Sequence, residues 1–128
     1  MFELLLGHLV GDYLIQNDYM ALNKAKNTKA GYIACLIHCI TYTIAVTVFM
    51  QNFDIAWILT VFFSHFFIDK YNLADKYMTY YKGLSISKYI KEKETNPIKG
   101  DFVTLVHTAV DNTMHLVLMY AGYQLLYF

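Results

Sequence analysis

Apolar residues along this chain collect into four runs divided by polar connections, a pattern that predicts four helices. The first run, about residues 1–20, opens Met-Phe-Glu-Leu-Leu-Leu but carries His8, Asp12, Gln16 and Asp18. The second, 31–50, passes from Gly31 through Ile33, Leu36, Ile40 and Val46 to Met50. The third, 54–73, holds Trp57, Ile58, Leu59, Val61 and phenylalanine pairs at 62–63 and 66–67. The fourth, 102–127, runs from Phe102 through Leu105, Val110, Leu116 and Leu118 to Leu125. A bilayer core roughly 30 Å thick takes about 20 helical residues at 1.5 Å each. Runs two and four meet that length and run three is adequate. Run one is marginal, and is expected to be tilted, partly re-entrant or sheltered by its neighbours. Between 76 and 100, tyrosines and six lysines surround the only proline, Pro97. That mixture predicts an interfacial helix with rings at headgroup level and lysines reaching anionic lipid. The expected fold is all-α: one domain over 1–128, a polytopic membrane bundle of about four transmembrane helices plus the interfacial helix.

Charge placement orients this bundle. Hydrophobic residues make up 57% and charged residues 16% of the 128, against roughly 45–50% and 25% in an ordinary soluble domain. There is no arginine, and all ten lysines fall between Lys24 and Lys99. Lys24, Lys26 and Lys29 occupy the first connection, Lys70 and the other six the third, while Gln51 to Asp54 has none. By the positive-inside rule the two basic connections are cytoplasmic and both termini lie outside. The expected location is the cytoplasmic (inner) membrane. A net charge of zero offers no basic face for nucleic acid. Cys35 and Cys39, one turn apart in an apolar run, read as buried small hydrophobes.

The chemistry-bearing residues sit inside the predicted spans. All five histidines, His8, His38, His65, His107 and His115, do so. His8 is followed four residues later by Asp12, His65 by Asp69 and His107 by Asp111, with His115 four further on. A four-residue step places each pair on one helix face, one turn apart. With the lysine-derived topology, Asp12, His38, His65, His107 and Asp111 fall very roughly 8–14 Å below the inner interface, at 1.5 Å per residue. Asp69 is shallower, and His8 and His115 are deeper. An aspartate at such depth costs roughly 2.5–3.5 kcal/mol on insertion scales, so a compensating partner is expected. Imidazole and carboxylate together suit zinc and related divalent ions. The candidate metal ligands are His8, Asp12, His65, Asp69, Asp111 and His115. His38 reads more readily as a packing residue than as a ligand, and His107 equally as an inter-helix hydrogen bond. Gln16 and Asn112 extend the polar stripe. Lys70 reads as a lysine snorkelling at the interface, with a role at an anionic substrate open to it. The tyrosines read mostly as interfacial anchors, and Gly7 and Gly11 as a weak signal for close helix packing.

The segments Leu-Leu-Leu-Gly-His-Leu-Val-Gly-Asp-Tyr-Leu-Ile-Gln at 4–16 and Ser-His-Phe-Phe-Ile-Asp-Lys at 64–70, with His38 and Asp-Asn-Thr-Met-His at 111–115, resemble the domain of unknown function 3307 family over the full length. The resemblance implies a small bacterial or phage membrane protein. It marks His8, Asp12, Gln16, His38, His65, Asp69, Lys70, Asp111 and His115. Asn112 stands where the pattern carries glutamine, and His107 is outside the pattern. The family is also distantly similar to membrane-bound metal-dependent hydrolases, which implies a chemistry without establishing one.

The expected function is a metal-dependent hydrolase working from the cytoplasmic side on a phosphoester or lipid-linked substrate. Its metal is a divalent ion, zinc by donor type, water ionised on that metal would be the nucleophile, and Asp12 the general base. The alternative is non-enzymatic: a proton or ion relay, a transport subunit, or an interaction protein with a structural metal. Partners reduce to the bilayer, that substrate and a second copy of the chain. The topology has a direct check. Accessibility tags at either terminus are expected to label from outside intact cells, and labelling only from the cytoplasm would refute the orientation.

Overall fold

A computed structural model describes residues 1–86, 88 and 97–128, and every element formed among them is helical. The first apolar run is not one helix. It divides into α1 (Phe2–Leu9), a π-helical turn (Val10–Ile15) and, after an extended residue at Gln16, the short α2 (Asp18–Asn23). The Asn17 side chain caps α2 by accepting from the Met20 amide at 2.9 Å. The second run is α3 (Lys29–Met50), capped by Thr28, whose hydroxyl oxygen accepts from the Gly31 amide at 3.0 Å. It ends at Gln51 in the left-handed region, φ 50°. Asp54 then caps α4 (Ile55–Lys70) through the Ala56 amide, 2.8 Å. The caps satisfy amides that a helix start leaves without intrahelical partners.

α5 (Leu73–Lys82) buries Ala74 and Met78 and packs on α6 (Pro97–Tyr127), where Met78 meets Val103. Of the stretch 76–100, where an interfacial helix is expected, α5 covers 76–82, while residues 87 and 89–96 lie outside the described residues. The fourth helix is described from Pro97, so it covers the expected 102–127 and the five residues before it.

The four expected spanning helices are corrected in one respect. Among the described residues only α3 is long and apolar enough to cross a membrane. The π turn and the break at Gln16 interrupt the first run, α4 has 16 residues, and α6 breaks its apolar run with Asp101, His107 and Asp111.

α3 is the pillar of the bundle. α1, the π turn, α2 and α4 all pack on it, α4 packs on α6, and α1 meets α6 to close the ring. The inward positions then fall into three layers, each taking one residue per helix at four-residue steps. The first is Leu4, Val46, Val61 and Met119, with Trp57 beside them. The second is His8, Tyr42, His65 and His115, and the third Asp12, His38, Asp69 and Asp111. The outward positions are apolar instead: Ile33, Ile37, Ile40, Ile44 and Val48 on α3, and Ile55, Leu59, Phe63 and Phe67 on α4, are all exposed.

α1 approaches α3 closely because Gly7 and Gly11 present no side chain. A Cβ at Gly7 would lie 2.8 Å from the Val46 Cα, and one at Gly11 2.5 Å from the Tyr42 ring. Gly7→Val is therefore expected to destabilise the bundle by about 1–3 kcal/mol, the range for overpacking. Thermal unfolding followed by helical circular dichroism tests this, with the exposed Leu14→Ala as a control that should melt like wild type.

Candidate metal centre

The second layer is a ring of four aromatic side chains. The Tyr42 ring stacks on His65, centroids 3.6 Å apart and planes 17° apart, and His65 stacks on His115 at 4.1 Å and 29°. His8 closes the ring: its Nδ1 lies 2.8 Å from the Tyr42 hydroxyl. Its Nε2 donates to the Asn112 side-chain oxygen at 3.0 Å, and the Asn112 amide donates to the Tyr13 hydroxyl at 2.7 Å. Both nitrogens of His8 are thereby engaged, and the ring orients its neighbours.

The third layer brings nitrogen and carboxylate oxygen atoms to one point. His38 Nε2 and His65 Nε2 are 2.9 Å apart. Asp12 Oδ1 lies 3.3 Å from the former and 3.6 Å from the latter; Asp69 Oδ2 lies 3.1 and 3.2 Å from them. The other oxygen of Asp69 faces His115 Nε2 at 3.3 Å, and Asp111 Oδ2 stands 3.8 Å from that same nitrogen. Asp12 Oδ1 and His115 Nε2 are buried without an aligned hydrogen-bond partner among the described residues. Two overlapping groups, Asp12–His38–His65 and His65–Asp69–His115, each place one donor atom per residue within 4.8 Å of the others, so these buried groups could hold a metal ion.

The π turn serves this arrangement. Such turns recur at functional sites because the added residue locally re-aims the side chains. Here the turn carries Asp12, whose Oδ2 is 3.4 Å from His8 Nδ1 while Oδ1 faces the two imidazoles.

One cation enters from the loop between α2 and α3. The Lys24 ammonium lies 2.7 Å from Asp69 Oδ2, and it donates to Gln16 Oε1 at 2.8 Å. Burial alone would lower the pKa of this lysine, but Asp69 and then Asp12 outweigh that and raise it. The loop itself is held by Lys70, whose ammonium donates to the backbone oxygens of Lys26 at 2.7 Å and Lys24 at 3.4 Å and sits over the Tyr32 ring.

The structure therefore gathers Asp12, His38, His65, Asp69, Asp111 and His115 and places Gln16 at their edge. His38, expected as a packing residue, is central. Lys70, expected to snorkel at the interface, is 3% exposed and bonded to carbonyl groups, because α4 ends against the α2–α3 loop. His107 belongs to neither metal-competent group. Lys24 and Tyr42 are additional members. Tyr42 was detectable, since it stands four residues from His38 as each other histidine of its layer stands four from a third-layer residue. Nothing local in the sequence pointed Lys24 at Asp69.

The family described as "Protein of unknown function (DUF3307)" matches residues 1–127, and the chain belongs to it. No curated protein and no solved structure matches.

The buried Lys24–Asp69 pair has a measurable consequence. In chelator-treated protein, Asp69→Ala strands a partly buried ammonium and is expected to cost about 3–5 kcal/mol, as for other broken buried pairs. Adding Lys24→Met should recover much of the loss in a double-mutant cycle followed by denaturant unfolding. Additive losses would show that the two groups are not coupled.

Proposed function

We propose that this member of the DUF3307 family is a membrane-embedded, metal-dependent hydrolase whose centre opens toward the cytoplasm and acts on a phosphoester or lipid-linked substrate. The observation that carries this reading is the spacing in the third layer. Donor atoms bound to a divalent ion at roughly 2.0–2.2 Å stand roughly 3.0–3.6 Å from one another; the Asp12, His38 and His65 atoms are 2.9–3.6 Å apart, and Asp69 Oδ2 lies 3.1 and 3.2 Å from the two imidazole nitrogens. Charge supports it as well. With neutral imidazoles, three carboxylates against the single ammonium of Lys24 leave an excess of two negative charges, which one divalent ion would offset. Mixed imidazole and carboxylate donors favour zinc.

Membrane embedding is supported by the inverted polarity of the bundle. Its inward face holds histidines and aspartates, while the outward stripes of α3 and α4 are isoleucine, leucine and phenylalanine. Exposed apolar area on that scale calls for a nonpolar surrounding. Lys26 and Lys70 stand with Lys24 at the end where it enters. Asn52 donates to the Tyr127 hydroxyl at 3.1 Å, which holds the C-terminus at the lysine-free end.

When bound, the metal would supply Lewis acidity and an acidified water. The chain's own groups divide the remaining work. Asp12, His38, His65 and Asp69 would hold the ion. Tyr42 and His8 fix the imidazole planes. Asp111, with its side chain 27% exposed and 3.8 Å from His115, is the carboxylate positioned to take a proton at Oδ2, in place of Asp12, whose Oδ1 faces the imidazoles. The first layer is wholly apolar, which disfavours a continuous proton or ion path to the other end.

Elemental analysis of gently purified protein tests the reading. Near-stoichiometric divalent metal is expected in wild type and in His107→Ala, with about tenfold or greater loss of metal affinity in His38→Ala and Asp12→Asn, as expected when a ligand is removed. Wild type without metal, and unable to take it up on reconstitution, would refute the hydrolase.

A further inference from the structure

Lys24 stands in a position that a metal ion would contest. Its ammonium lies 2.7 Å from Asp69 Oδ2 and 3.5 Å from His38 Nε2, two of the atoms assigned above to the metal. A second cation on the same carboxylate oxygen would face the ammonium at close range, and His38 Nε2 offers one lone pair only. The two cations therefore compete for these atoms. The lysine also has somewhere to go: its side chain is 17% exposed, on a short loop at the open end of the bundle, and Gln16 already accepts one of its hydrogens.

Resting on the metal centre proposed above, we propose that Lys24 is an exchangeable counter-cation that metal binding releases to hold the phosphoryl group of the substrate. Before metal binds, the ammonium offsets the buried charge of Asp69 and keeps the layer folded. Once a divalent ion takes Asp69, its two charges and that of Lys24 together offset Asp12, Asp69 and Asp111, so an incoming anion meets no net repulsion. Lys24, freed from Asp69, is then the most accessible cation beside the centre, and the Gln16 amide can donate alongside it. A lysine ammonium acts as a point charge well suited to phosphate oxygens. Lys70 holds the loop by the carbonyls of Lys24 and Lys26, so the Lys24 side chain can swing while its backbone stays in place.

The test uses the whole protein in detergent, stripped with chelator, as wild type, Lys24→Met and Lys24→Arg. Zinc affinity is read by competition with a chromophoric chelator. Inorganic phosphate and a short-chain phosphatidic acid are then titrated into the zinc-loaded proteins. Removing the competing ammonium in Lys24→Met is expected to tighten zinc binding about tenfold and weaken the phosphate probes about tenfold, as for the loss of one charged hydrogen bond. Lys24→Arg should keep phosphate binding near the wild-type level. Stronger binding of phosphatidic acid than of inorganic phosphate assigns the anion to a lipid headgroup, and equal binding assigns it to a soluble phosphoester; both support the proposal. Unchanged or weaker zinc binding in Lys24→Met overturns it, as does equal phosphate binding by wild type and Lys24→Met. If neither wild type nor Lys24→Met takes zinc, the metal centre itself is refuted and this role with it. Should Lys24→Met not fold, Lys24→Gln replaces it in the same assays.

Discussion

Three carboxylates, Asp12, Asp69 and Asp111, share one end of a helical seam with the ammonium of Lys24. Each of Asp12 and Asp69 is almost wholly removed from solvent, and charge in such a place is expensive unless it is paired and hydrogen-bonded. The other devices in the bundle follow from that expense. The π turn aims Asp12 at the imidazoles, the α2–α3 loop delivers Lys24, and Lys70 ties that loop down. His8, with both ring nitrogens engaged, holds the histidine ring from one side as Tyr42 holds it from the other. Little of this improves packing over a plain hydrocarbon core. A chain that retains so much buried polarity is trading stability for a site.

The four-residue step made much of this legible in advance. His8 to Asp12, His65 to Asp69 and Asp111 to His115 each mark one face of a helix, and antiparallel order brings those faces to one depth. The same step, applied to His38, points to Tyr42, yet tyrosine among twelve tyrosines is a weak flag, and a lone histidine on an apolar helix resembles a packing residue. What periodicity cannot carry is contact between a loop and a distant helix. Lys24 and Asp69 are 45 positions apart, and a lysine in a basic loop reads only as topology. Lys70 was misplaced for a related reason: a helix-end lysine ordinarily reaches for water, and only the fold shows carbonyls within its reach. The break in the first run was foreshadowed by its polarity, but the π turn has no signature in the residues themselves.

α3 joins the two halves of the argument. Its outward face is aliphatic from Ile33 through Ile37, Ile40 and Ile44 to Val48, and its inward face changes from Val46 through Tyr42 to His38 within about two turns. That gradient is repeated on the other three helices of the seam, from Leu4, Val61 and Met119 to Asp12, Asp69 and Asp111. A histidine core in water would be wrapped in polar residues; here the wrapping is apolar. On the proposed membrane reading this is the economical arrangement, since lipid can solvate the outside while the protein solvates its own charges.

The gradient also gives the site a direction. The apolar layer of Leu4, Val46, Val61, Trp57 and Met119 closes the end at which the chain termini and the 51–54 turn lie. Polar groups become more accessible only toward the other end, where Lys24 and Asp111 are the most exposed of the charged members. On the proposed reading, a substrate approaches from the lysine-bearing side, reaching Lys24 and Asp111 before the fully buried imidazoles. On that reading, an apolar layer behind the buried carboxylates and imidazoles favours hydrolysis of a group presented from one face over conduction through the bundle, and the partly exposed ammonium of Lys24 is where the charge of an arriving anion would first be felt.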